Sequence, residues 1–143
     1  MATQTEPVVG QTKDVGFQIG VRRTLPVNCD EVWRLLTSKK GLQIWLGKGA
    51  NIEWTKGKAY RLADGTLGEI RVFSPNSHLR ITWQPADWPR PSTIQVRVLA
   101  SKERTTVSFH QEHLPGANAR EERRAHFAAA IDELERIISQ SGA

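Results

Sequence analysis

Apolar residues recur along this chain in two periods, and the switches between them divide it into elements. Phe17, Ile19, Val21 and Leu25 share one parity, with Gln18, Arg22 and Thr24 on the other, which predicts a first strand ended by Pro26. Asn28 then caps a short helix over Cys29 to Leu36, with Glu31 in the reciprocal capping-box position and Val32, Leu35 and Leu36 facing inward. Ser38 caps a second short helix that carries Leu42, Ile44, Trp45 and Leu46 and stops at Gly47. Period two returns with Ile52 and Trp54, Tyr60 and Leu62, Ile70 and Val72, then Leu79, Ile81 and Trp83. It continues through Ile94, Val96 and Val98 to Val107 and Phe109. Turns fall at Lys56-Gly57, Asp64-Gly65 and Ser74-Pro75-Asn76, and a proline-rich loop runs from Pro85 to Pro91.

The last element has a different period. Phe127, Ala130, Ile131, Leu134, Ile137 and Ile138 fall on one face of a helix read from Asn118 to about Ser139, with Asn118 as cap and Glu121 closing a capping box. At 1.5 Å per residue such a helix spans about 33 Å, the width of a small domain. Consecutive hairpins imply an antiparallel sheet of about six or seven strands with one apolar face, and this helix is the long amphipathic element that can cover it. The predicted class is α+β.

A length of 143 residues suits one domain, read here as 15–140, preceded by a disordered tail over 1–14. The opening residues carry neither a basic start nor an apolar run, and no later stretch is long enough to span a bilayer, so a cytoplasmic protein is expected. The one cysteine, Cys29, agrees with a reducing compartment. It sits in the first turn of a helix, but Asp30 and Glu31 oppose thiolate formation there. The net charge of +5 raises the question of nucleic acid, yet the cations alternate with apolar residues and form no basic run, so no nucleic-acid partner is expected.

Leu25-Pro26-Val27-Asn28-Cys29-Asp30-Glu31-Val32-Trp33, then Leu36-Thr37-Ser38 and Trp45-Leu46-Gly47, resembles the opening of START-like (SRPBCC) domains. More narrowly, it is similar to the branch named after the activator of the heat-shock ATPase chaperone. Asp64-Gly65-Thr66, Leu79-Arg80-Ile81-Thr82-Trp83 and the closing helix over Arg124 to Ile138 match as well. The resemblance implies a helix-grip fold, a curved antiparallel sheet around the C-terminal helix with a largely apolar cavity between them. It also implies three kinds of activity: binding of a hydrophobic or amphipathic small molecule, stimulation of a chaperone, or chemistry of the polyketide-cyclase kind. The first is the expected function.

Candidate cavity residues follow from parity. Trp54, Tyr60, Trp83, Phe109 and Gln111 fall on the inward side of their strands, Trp45 caps one end, and Phe127 and Ile131 face them from the helix. Arg123 and Arg120 lie four and seven residues before Phe127, on the same helical stripe. Two guanidinium groups there can reach Glu112 or Asp87, extend to water, or hold a ligand's carboxylate or phosphate by forked hydrogen bonds. His110-Gln111-Glu112-His113 is the most enzyme-like segment, but the strand parity points His110 and Glu112 outward, and the two histidines lack further ligands at zinc spacing. A cyclase-type site would have to draw on inward polar groups such as Gln111, Arg23 and Tyr60. No catalytic set, cofactor motif or metal-binding pattern is legible.

Overall fold

The computed structural model describes residues 11–12 and 16–141. Its elements are β1 (Gln11–Thr12), β2 (Gly16–Leu25), α1 (Cys29–Thr37), α2 (Lys39–Trp45), β3 (Ala59–Arg61), β4 (Leu67–Ser74), β5 (His78–Trp83), β6 (Ser92–Ser101), β7 (Arg104–Leu114) and α3 (Ala117–Ser141). The strands form one antiparallel sheet in the order β1-β2-β7-β6-β5-β4-β3. Thus β3 to β7 run as successive neighbours, while the two short helices carry the chain from β2 to the far edge. Of the expected N-terminal tail, Gln11 and Thr12 pair with Phe17 and Gly16, and the rest of 1–14 lies outside the described residues.

The helical pair forms as its caps predict. Asn28 Oδ1 accepts the Glu31 N–H at 2.9 Å, and Ser38 Oγ accepts that of Gly41 at 3.0 Å, so each start satisfies one otherwise orphaned donor. Gly41 is required by the junction, because a Cβ there would lie 1.8 Å from the Leu35 carbonyl oxygen. Inward residues of β5, β6 and β7, from Leu79 and Ile94 to Val107 and Phe109, are fully buried beneath Phe127, Ile131 and Leu134 of α3.

Three elements differ from the sequence reading. In β4 the register shifts between Ile70 and Val72, so Val72 lies opposite Arg80 on the outer face while Phe73, opposite Leu79, faces inward. Ile52 and Trp54 are not in a strand: Thr55 N–H bonds back to Glu53, and only from Gly57 onward does the backbone reach Ile70 of β4. Helix α3 starts at Ala117, and the Arg120 N–H bonds to the Gly116 carbonyl at 3.0 Å, so Asn118 lies inside the first turn and does not cap it. The break at Pro115-Gly116 brings the chain directly from β7 into the helix, which leaves no residue to spare for a cap at 118.

Candidate functional site

The middle of the sheet–helix interface is filled by its own side chains. Phe109 of β7 stacks on Phe127 of α3 with ring centroids 4.9 Å apart, and Trp45 of α2 packs 5.9 Å from Phe109. Trp45 also donates its indole N–H to the Leu36 carbonyl at 2.8 Å. Trp45, Phe109, Phe127 and Ile131 have no accessible surface, so none of them borders a water-sized space. They were expected to line a cavity; they form instead a packed floor.

One end of the interface is built differently, from polar groups. It lies where the first turns of α3 meet the ends of β5 and β7. Arg123 lays its guanidinium over the Trp83 ring, 3.8 Å from the centroid, with Phe127 at 5.0 Å. Its Nε donates to Gln111 Oε1 at 2.8 Å. The Gln111 amide donates in turn to Ser92 Oγ at 2.8 Å, and the Ser92 hydroxyl to the Trp83 carbonyl at 2.6 Å. A relay of side chains therefore fixes Arg123 against β5, β6 and β7. Tyr60 of β3 joins the site by donating its hydroxyl to the Thr82 carbonyl. The ring can lie there because residue 68 is glycine: a Cβ at Gly68 would come within 2.3 Å of the Tyr60 ring.

This end is short of partners. Trp83, Arg123 and Arg120 are only 7%, 8% and 9% exposed. Yet Trp83 Nε1, one terminal nitrogen of Arg123 (Nη2) and Arg120 Nε have no hydrogen-bond partner and no contact with solvent. Arg120 does engage Glu121, whose carboxylate is 62% exposed, whereas no carboxylate of the described residues pairs with Arg123. Burial consequently pulls the Arg123 guanidinium down to about 10, against the opposing pull of Tyr60 and Glu122. Burial also pushes the Tyr60 hydroxyl above its usual range. His126, one turn on, donates its Nε2–H to the Trp45 carbonyl at 2.8 Å, and burial followed by the Arg123 charge lowers its proton affinity.

The remaining candidates lie elsewhere. Trp54 stacks on Phe73 at 4.9 Å, and Phe73 meets Trp33 of α1 at 5.8 Å, a separate aromatic cluster toward the β4–β5 turn. Arg23 is held by Asp132 and Glu135 of α3, the latter at 2.8 Å, and so fastens β2 to the helix. Gln111 faces inward and is fully buried, while His110 and Glu112 turn to the other side of the sheet, where His110 meets Gln18 at 2.8 Å. Neither Glu112 nor Asp87 reaches the two arginines. Burial and Asp30 raise the Cys29 thiol, which contacts the Asn76 carbonyl. Sequence reasoning missed Ser92, His126 and Trp88, which meets Trp83 edge-on at 5.3 Å. Ser92 was detectable, as a small polar residue on the buried parity of β6.

The opposite sheet face carries a shallow groove of 670 Å³ lined by Lys56, Leu67, Arg71, Arg80, Thr82 and Glu112 among others. No helix among the described residues is long and apolar enough to cross a membrane.

Comparison with known proteins agrees with this architecture. CalU16 from Micromonospora echinospora superposes with a TM-score of 0.74 at 21% identity, covering 85% of this chain and 73% of that one. An HSP90 activator from Plasmodium falciparum gives 0.73 at 18% identity, covering 85% and 96%. At those identities the likeness is one of fold. The mouse activator of 90 kDa heat shock protein ATPase homolog 1 is 25% identical over 92 residues, which are 60% of this chain and 27% of the mouse protein, so the match spans about a quarter of that relative. The model of the family described as Activator of Hsp90 ATPase homolog 1-like protein matches residues 26–139, and the chain belongs to that family.

Proposed function

We propose that this protein binds an amphipathic small molecule at the end of the sheet–helix interface, with Arg123, Arg120, Trp83 and Tyr60 receiving its polar group and the indoles of Trp83 and Trp88 its apolar part. The observation that carries this reading is the Arg123 guanidinium, buried without a carboxylate and with an unmet donor. Buried charges are ordinarily paired, and an unmet donor on one costs free energy that a bound acceptor would recover. Because the floor beneath is packed, the ligand enters from the rim, between the first turns of α3 and the Pro85 to Pro91 loop. Native mass spectrometry of freshly purified protein should show a co-purifying apolar molecule, and a medium-chain fatty acid should quench tryptophan fluorescence in wild type. Trp83→Phe should remove most of that quenching. A clean protein mass together with fluorescence unmoved by added fatty acid would defeat the reading.

A second reading, protein binding of the kind the mouse relative's name describes, is favoured by the outer sheet face. Pairing sets Arg22 opposite Ser108 and Ser108 opposite Arg97, with Arg80 opposite Gln95 in the neighbouring row, so cations of β2, β6 and β5 share this face. Arg22, Arg80 and Arg97 enter no ion pair among the described residues, so this face complements an acidic surface. Under this reading the protein raises a chaperone's ATPase rate, and Arg80→Glu with Arg97→Glu abolishes the stimulation.

A further inference from the structure

Within the small-molecule reading, on which this rests, the charge balance of the site defines the ligand more closely. We infer that the site takes a monocarboxylate, and that Glu121, which stays on Arg120, opposes the incoming anion by its charge.

The donors are the first ground. Three N–H groups, on Trp83, Arg120 and Arg123, lack acceptors inside one cluster at the start of a 25-residue helix. A helix N-terminus itself favours an anion, and here it is joined by side chains more than nine-tenths buried. Arg123 is already committed through Nε to Gln111, which leaves its terminal nitrogen to meet a second acceptor without changing rotamer. That geometry is pre-organised, so little side-chain entropy is lost on binding.

Charge decides the class. Arg120 and Arg123 bring two positive charges, and Glu121 at Arg120 cancels one. One net charge remains at the buried guanidinium, which matches a carboxylate. A phosphate monoester, close to doubly charged at neutral pH, exceeds that single charge and faces the field of Glu121 together with that of Glu122.

Glu121 stays on Arg120, but its side chain is mostly exposed, so the field with which it opposes an anion is modest. Removing its charge should therefore strengthen binding of an anion and leave a neutral analogue unaffected. A residue that merely supported the helix start would not show that difference.

The test is isothermal titration of wild type, Glu121→Gln, Arg123→Gln and Arg123→Lys with 2-naphthoate, its methyl ester and 2-naphthyl phosphate, with circular dichroism to verify folding. Naphthoate should bind wild type about tenfold or more tighter than the ester, as hydrogen bonds to a charged group require. Glu121→Gln should tighten naphthoate by about two- to fivefold, the range of an exposed ion pair, and leave the ester unchanged. Arg123→Gln should bring naphthoate down to the ester's affinity, with Arg123→Lys in between. Equal binding of naphthoate and ester to wild type would overturn the carboxylate inference while keeping the small-molecule reading. Naphthyl phosphate binding tighter than naphthoate would overturn the monoanion assignment. An unchanged affinity in Glu121→Gln would remove the opposing role of Glu121. Failure of all three probes to bind would bring down the small-molecule reading itself.

Discussion

Arg123 holds a charge that the fold does not neutralise, and the depression of its pKa from the ordinary guanidinium range to about 10 corresponds to a cost of about 3 kcal/mol for keeping it protonated. Cation–π contact with Trp83 and the Gln111 amide offset only part of that. Replacing both polar partners by apolar groups removes the cost and leaves Ser92 still able to donate to the Trp83 carbonyl. The double variant Arg123→Met with Gln111→Leu is therefore expected to gain about 1 to 4 kcal/mol in urea denaturation, as other buried charged groups do when replaced by apolar ones. A loss above about 1 kcal/mol would show that the guanidinium supports the fold instead. His126 gives a second test by titration. Its folded-state proton affinity is lowered, so the unfolded chain binds the proton more readily, and stability present above the ordinary value of 6.5 is lost as pH falls through it. The urea midpoint of wild type should fall between about pH 7 and pH 5, and His126→Asn should flatten that slope. Both residues show how far a site can be read from sequence. The stripe position of Arg123 was visible from its spacing to Phe127. What was not visible was its partner, because a hydrogen bond to Gln111 across 12 positions depends on how α3 folds back over β7 and not on local pattern.

Elements were legible where a local signal decides them. The caps at Asn28 and Ser38, the Asp64-Gly65 turn and the parities of β5, β6 and β7 all act over a few residues, and each is found where it was expected. Trp54 failed for the complementary reason. Alternation marks a strand only if a partner strand accepts the backbone, and residues 52–56 turn on themselves before β4 is reached, so parity no longer sets side-chain direction. Two predictions belong at this scale. Leu134, fully buried on α3, should cost about 2 to 5 kcal/mol when changed to alanine, measured by urea denaturation, and a cost near that of a surface substitution would mean that the helix does not lie on the sheet. Gly68→Ala must displace both the Thr82 carbonyl, 2.2 Å from the added carbon, and the Tyr60 ring, 2.3 Å from it. It should weaken the β3–β4 pairing, seen as faster amide exchange at Tyr60 and Arg61, with the helices unaffected.

At the scale of the whole molecule, the sheet separates two chemistries. One face is covered by α3 and ends in buried donors, and the other is open, polar and rich in arginine. The unmet donors at the covered face also have a practical consequence. Any compound that supplies their missing acceptor binds the folded chain and not the unfolded one, so heat denaturation reports occupancy without knowledge of a reaction or a partner. A ligand present at a hundred times its dissociation constant adds about 2.7 kcal/mol. In a chain of this size that raises the melting temperature by about 8 °C, well within the resolution of a dye-based melt. A library of metabolite carboxylates, melted in parallel against Arg123→Gln, would rank its members by the difference between the two proteins, and the absence of any difference would count against the proposed site.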